Sequence, residues 1–233
     1  MRSSAMKSPI ILALDADEIS KASDWIRATR DSVDIYKVGL EFFLKFGADG
    51  IAELRKNGDF EIFLDLKLHD IPNTVASSVK SISQLRPKFL TVHASGGPEM
   101  VSAAAKADPE ISITAVTILT SLSDDDLLQL GFAQNVERSA VALAKIAVGA
   151  GARAIVCSPF EASAIRAAVG DEITLITPGV RPAGTAAGDQ KRFMVPSEAM
   201  VAGANYLVIG RPITGQPSPA AMADAAAAIL NSI

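Results

Sequence analysis

The sequence predicts a single-domain (β/α)8 barrel, a TIM barrel, and three observations carry that prediction. Short apolar runs recur along the 233 residues, with longer, Ala-rich helical stretches between them. The runs are continuous, as in Ile11–Leu14 and Leu207–Gly210. That is the pattern of parallel strands buried on both faces, not of half-buried strands with strict alternation. Eight strands in seven steps give roughly 28 residues per repeat, the size of one βα unit. The competitor, a doubly wound open sheet, carries a glycine-rich turn after its first strand. Here that turn is Asp15-Ala16-Asp17-Glu18, whose carboxylates repel a pyrophosphate.

The elements follow in order. Strand one, Pro9–Asp15, leads to a helix over Glu18–Arg30, and strand two, Asp34–Gly39, to a helix over Leu40–Asn57 that Gly58 stops. Strand three is Glu61–Lys67 with a helix over Val75–Leu85, and strand four is Phe89–Ala94 with a helix over Pro98–Ala107. Strand five, Ile113–Thr120, precedes the acidic start Asp124–Asp126 of a helix, where carboxylates suit the dipole, and then a helix over Val136–Ala150. Strands six and seven, Ala154–Ser158 and Thr174–Gly179, are followed by helices over Phe160–Ala168 and Ser197–Ala202. Strand eight, Tyr206–Gly210, ends in a final helix over Pro219–Asn231, whose alanines favour helix. The helices carry apolar residues at three- and four-residue spacing, with Ser/Pro starts and glycine stops at Gly151, Gly170 and Gly203.

Composition excludes several classes. Hydrophobic residues at 49% and charged residues at 21% exclude wholesale disorder. A net charge of −4 argues against a dedicated nucleic-acid binder but not against a small anionic substrate. One cysteine, Cys157, cannot pair within the chain and points to a reducing, cytoplasmic setting. With His69 and His93 as the two histidines, a structural zinc site is not expected, nor is any other metal. No apolar run reaches the ~18–20 residues of a membrane span, and the polar Met1–Lys7 is no signal peptide. Residues 1–7 are expected to be a flexible tail and residues 8–233 a single catalytic barrel, since no linker or charge block divides them.

A barrel places chemistry at the C-terminal ends of its strands. Strand one ends in Asp15, strand two carries Lys37, strand three ends in Asp65 and Lys67, strand four in His93, and strand five in Thr117 and Thr120. Residues two apart on a strand face the same side, so Asp65 and Lys67 point to the mouth while Leu66 and Leu68 face the helices. A structural ion pair is the plain alternative. Against it, alternating carboxylates and ammoniums at neighbouring strand ends are costly to desolvate and contribute little to stability. They suit a reaction in which developing charge must be met by fixed groups.

After strand seven comes Pro178-Gly179-Val180-Arg181-Pro182-Ala183-Gly184, then Gly188-Asp189-Gln190, and after strand eight Gly210-Arg211-Pro212. Ordinary turns would look similar, but barrels frequently bind phosphate with these two loops, using backbone N–H groups and an arginine. Cys157 and Trp25 read as core packing, His69 as lying outside the site, and His93 as either core or supporting.

Across nearly its whole length the chain resembles the orotidine 5′-phosphate decarboxylase family. The resemblance runs through LALD (Leu12–Asp15), YKVG (Tyr36–Gly39), DLKLHDIPNT (Asp65–Thr74) and VHASGG (Val92–Gly97). It continues through ILTS (Ile118–Ser121), TPGVRPAG (Thr177–Gly184), GDQ (Gly188–Gln190) and IGRPI (Ile209–Ile213). The DxKxxD core alone defines a wider group of barrels, whereas the extension to DIPNT with PGVRP, GDQ and GRPI is specific. The resemblance implies decarboxylation of orotidine 5′-phosphate to uridine 5′-phosphate (UMP), the last step of de novo UMP synthesis, without metal or cofactor. It makes Lys67 the acid that protonates C6, Asp65 the neighbour of the departing carboxylate, and Lys37, Asp65, Lys67 and Asp70 one charged network. Asp15 and Lys37 would hold the ribose, Thr120 and Ser121 would lie by the pyrimidine, and Pro178 would also contact substrate. Arg181, Gln190, Gly210 and Arg211 would surround the phosphate. It further implies a homodimer in which Asp70 and Thr74 complete the neighbouring site, and an Ala183–Gly188 lid.

Three other functions share much of this pattern. A metal-dependent sugar-phosphate lyase of the wider group places an acid on strand two, where this chain has Lys37. A Schiff-base aldolase would use Lys37 or Lys67. A silent phosphate-ligand sensor would bind without turnover.

Overall fold

A computed structural model describes residues 8–182 and 194–233. The expected N-terminal tail, the Ala183–Gly188 segment and Gln190 lie outside the described residues. Eight parallel strands close on themselves in chain order, and β8 returns to pair with β1. They are β1 (Ile10–Ala13), β2 (Ile35–Gly39), β3 (Glu61–Leu68), β4 (Phe89–His93), β5 (Ser112–Val116), β6 (Ala154–Val156), β7 (Thr174–Thr177) and β8 (Tyr206–Ile209). The main helices are α1 (Ile19–Thr29), α2 (Leu40–Arg55), α3 (Pro72–Ile82), α4 (Gly97–Ala107), α5 (Asp124–Gln129) and α6 (Val136–Gly149). They continue with α7 (Ala162–Val169), α8 (Pro196–Val201), the single turn α9 (Arg211–Thr214) and α10 (Pro219–Asn231).

The continuous apolar runs have a direct structural cause. One face of each strand meets the helices: Leu12, Tyr36, Leu64, Leu90, Ile155 and Leu207 pack with helix residues such as Trp25, Phe42, Leu54, Met100 and Ile165. The other face fills the barrel, where Ile11, Ile35, Phe63, Phe89, Ala154 and Ile176 form a separate buried cluster. Phe63 and Phe89 meet edge to face at 5.9 Å, and Phe89 meets Tyr206 at 5.8 Å, so aromatic rings plug the lumen. Both faces being buried removes the regular alternation of polar positions.

Several boundaries differ from the sequence reading. β5 ends at Val116, four residues before Thr120, because Ile118–Ser121 turn away toward α5. α3 begins at Pro72, a residue suited to the first turn because its missing N–H has no helical partner to lose. α5 is short, and a capping box stabilises it: Ser123 Oγ accepts from Asp126 N–H, and the Asp126 carboxylate accepts from Ser123 N–H at 2.8 Å. Gly210-Arg211-Pro212, expected as a loop after strand eight, opens the helical turn α9.

The end of the barrel opposite its mouth is tied by Arg166 on α7. Its guanidinium donates to Gly170 O and Ile173 O at 2.7 Å each, to Gly203 O at 2.9 Å and to Asn205 Oδ1 at 2.6 Å. One side chain thus joins the loops entering β7 and β8, and Asn205 passes the tie on by accepting from Leu175 N–H. Arg166→Ala is expected to lower the unfolding free energy by about 2–4 kcal/mol, since four acceptors lose a charged donor. Urea denaturation of the variant checks this, and a change under ~0.5 kcal/mol would show the tie to be idle.

Candidate active site

The charged groups gather where the strands end. Lys37 Nζ lies 3.2 Å from Asp15 Oδ1 and 3.7 Å from Asp65 Oδ2, and Lys67 Nζ lies 2.7 Å from Asp65 Oδ1. The order is Asp15–Lys37–Asp65–Lys67, contributed by β2, β3 and the turn after β1. The Asp65 and Lys37 side chains are 13% and 12% exposed, whereas Lys67 is 35% exposed and Asp15 64% exposed. A buried centre therefore opens to solvent at both ends. Gly39 keeps room for it, since a Cβ there would meet Lys37 Nζ at 3.1 Å and Asp15 Oδ1 at 3.4 Å.

Burial alone would raise the Asp65 carboxyl pKa. The charges of Lys37 and Lys67, with hydrogen bonds from Lys67 and Thr91, outweigh burial and hold it below the ordinary carboxylate value. Asp65 is accordingly an anion, paired on either side with a cation. His93, next along the mouth, is held below the usual imidazole range by burial first, then by the charges of His69 and Lys67. Its ring lies 5.4 Å from that of His69, so the pair borders the lysine without joining the array.

Asp65 and Lys67 share the mouth for a reason that simple alternation does not supply. β3 pairs with β4 at Leu64↔Leu90 and again at Leu68↔Val92, so Asp65, Leu66 and Lys67 face Thr91 alone. Lys67 takes up the two extra residues with a left-handed backbone, φ 51°, which costs a residue with a side chain on the order of 1–3 kcal/mol. Leu66 still packs into the core against the helices, with Leu68 beside it, as alternation expects. Thr91, which the sequence reading passed over, completes the bulge: its Oγ1 accepts from Lys67 N–H at 2.8 Å and donates to Asp65 Oδ1 at 3.0 Å. The one available signal was a polar residue inside the run Phe89–Val92.

A cavity of about 180 Å³ sits against the array, with Lys37, Asp65 and Lys67 on its wall and Ile118, Leu119, Thr120 and Pro178 also lining it. A second hollow of about 430 Å³ adjoins it, sharing Ile118, Leu119 and Thr120. Ser121 lines only the second. Arg181 is buried, and its N–H donates to Met194 O at 3.1 Å, which ties the two sides of the loop after β7. Gly210 and Arg211 follow β8 directly, at the start of α9. Asp70 and Thr74 stand apart from the cavity: both are exposed, and Asp70 Oδ1 accepts from Ile71 N–H at 2.7 Å. Among the described residues Asp70 makes no ion pair, while Ile71 beside it is 66% exposed. Cys157 is buried, its thiol pushed up to about 12 by burial and then by Glu161. It is an inert core residue.

Among the described residues no group of three or more His, Cys, Asp or Glu side chains could hold a metal ion. No helix among them is long and apolar enough to cross a membrane. A closed parallel barrel with paired carboxylates and ammoniums at its mouth, and arginines after β7 and β8, defines a TIM barrel with a charged candidate site at the C-terminal ends of its strands.

The comparisons narrow the class. The model of the Orotidine 5′-phosphate decarboxylase / HUMPS family matches residues 8–226. An orotidine 5′-phosphate decarboxylase of Thermobifida fusca (strain YX) is 52% identical over 225 residues, covering 97% of each chain. One of Anaeromyxobacter sp. (strain K) is 49% identical over 220 residues, covering 94% of this chain and 96% of that protein. The crystal structure of orotidine 5′-phosphate decarboxylase from Lactobacillus acidophilus superposes with a TM-score of 0.82 at 35% identity, covering 97% of this chain and all of that one. The chain belongs to the orotidine 5′-phosphate decarboxylase / HUMPS family.

Proposed function

We propose that this chain is a carboxy-lyase that converts orotidine 5′-phosphate to UMP and CO2 in pyrimidine biosynthesis, with residues 8–233 as one catalytic domain in the cytoplasm. The observation that carries the reading is the 2.7 Å contact between Lys67 Nζ and the buried Asp65 carboxylate at the barrel mouth. Relatives of the same name at 42–52% identity support the decarboxylase over the sugar-phosphate branch of the family. Lys37 on β2, where that branch places a metal-binding acid, supports the same choice.

The bond from C6 to the carboxylate breaks heterolytically, and the electron pair stays on C6 in the plane of the ring. The ring π system cannot delocalise it. The Lys67 ammonium, fixed beside that carbon, offsets the charge and then donates its proton to form the C6–H bond of the product. Lys67, exposed along one side, recovers a proton from water. Asp65 stands beside the departing carboxylate and pairs with the Lys67 ammonium, while Lys37 holds Asp65 in place. Asp15 and Lys37 take the ribose hydroxyls, Thr120 and Ser121 the pyrimidine, and Arg181, Gln190, Gly210 and Arg211 the phosphate end, with Pro178 a further contact in the cavity that Lys67 lines. The reaction needs neither metal nor cofactor, and chelation with EDTA is expected to leave it unchanged.

The active unit is a homodimer in which Asp70 and Thr74 enter the partner's site. Their exposure, and that of Ile71, Leu40 and Leu44, supports this reading. Lys67→Ala and Asp70→Asn, each inactive alone, are expected to regain about a quarter of wild-type turnover when unfolded together and refolded. Half the dimers are then mixed, and each holds one intact site. No recovery in mixed dimers would place Asp70 outside the partner's site.

A further inference from the structure

We infer that Thr91 is a positioning residue: its hydroxyl ties the backbone of Lys67 to the carboxylate of Asp65 and so sets where the ammonium meets the reacting carbon. The inference rests on the reading of Asp65 and Lys67 as the reacting pair.

In a parallel ladder each strand N–H finds a carbonyl on its neighbour. The bulge in β3 removes that partner at Lys67, since three residues there face Thr91 alone. The orphaned N–H is met by a side chain, Thr91 Oγ1, at 2.8 Å. A hydroxyl has one proton to give, and with the Lys67 N–H occupying a lone pair that proton goes to Asp65 Oδ1 at 3.0 Å. The direction of the relay is thereby fixed, from N–H to hydroxyl to carboxylate. The same Oδ1 accepts from Lys67 Nζ at 2.7 Å, so the ring of contacts closes on the lysine from both its backbone and its tip.

Thr91 is fully buried, on the same side of β4 as the lumen-filling Phe89. It therefore acts through its two neighbours and not on the substrate. A lysine held by a left-handed backbone has an alternative, the relaxed strand conformation, which would draw its ammonium out of place. The hydroxyl bond opposes that relaxation. Misplacement by ~1 Å at a reacting centre costs about 100-fold in rate, which gives the scale of the effect.

The Asp65 carboxylate faces Lys37 from β2 and Lys67 from its own strand. Asp15 pairs with Lys37, and His93, whose ring lies 5.4 Å from that of His69, also feels the charges of Asp65 and Lys67. Of the groups that hold it anionic, only Thr91 is uncharged, so its removal takes away a hydrogen bond without changing the net charge. The carboxylate then accepts a proton at higher pH.

The test compares Thr91→Val, Thr91→Ser and Lys67→Ala on orotidine 5′-phosphate, with UMP affinity measured by titration. Thr91→Val is expected to lower kcat by about 10- to 100-fold while KM and UMP affinity stay within about threefold. It is also expected to move the acid limb of the pH–rate profile upward. Thr91→Ser keeps the hydroxyl and is expected to restore both readings. Should the valine variant not fold, Thr91→Ala gives the same comparison with the serine. A wild-type kcat and acid limb in the hydroxyl-free variant would overturn the inference, as would a loss that serine does not repair. Turnover surviving in Lys67→Ala would instead overturn the reading beneath it.

Discussion

Lys67→Ala is expected to lower turnover of orotidine 5′-phosphate by at least about 10⁴-fold while UMP still binds. Two contributions disappear together. Proton delivery by a placed acid is worth roughly 10²–10⁴-fold, and electrostatic stabilisation at a developing charge roughly 10²–10³-fold. The remaining cation, Lys37, lies 3.7 Å from Asp65 on the far side of the carboxylate and cannot reach across it. Lys67→Arg separates the two contributions, because a guanidinium keeps the charge but does not give up its proton. The arginine variant is expected to remain close to inactive. The loss of orotate absorbance reads both variants, and near-wild-type turnover in the alanine variant would remove Lys67 from the chemistry.

Arg211→Ala is expected to reduce kcat/KM by about 10³-fold, with kcat falling as well as KM rising. A phosphate held by a forked arginine is bound away from the reacting carbon, and such remote binding energy lowers the barrier when it orients the ring. Inorganic phosphite or phosphate added with a phosphate-free substrate analogue gives a second measure. In wild type it is expected to accelerate the analogue, and in Arg211→Ala to leave it unchanged. An unaltered kcat/KM in the variant would take Arg211 out of the phosphate site.

The barrel was legible in the sequence because its strands are dry on both faces. Runs such as Ile11–Leu14 have helices on one side and an aromatic-filled lumen on the other, and nothing polar interrupts them. The strand-end charges were legible for a related reason: lysines inside apolar strands have few structural uses. What could not be read was the register. Periodicity of two placed Asp65 and Lys67 together, and they are together, yet a bulge and a left-handed lysine bring them there. A one-dimensional pattern does not record how many residues of β4 face a stretch of β3. Thr91 was missed for the same reason, since its meaning lies in what crosses from the next strand. The early end of β5 and the helical turn at Arg211 depend on the loops around them, where local pattern is weakest.

The aromatic plug in the lumen has a consequence for traffic through the molecule. Phe63, Phe89 and Tyr206 close the barrel beneath the charged mouth, so no tunnel leads out through its centre. For the proposed reaction, gas and nucleotide would therefore leave by the doorway through which the nucleotide came in. Carboxylation in the reverse direction would need CO2 to enter by that same doorway.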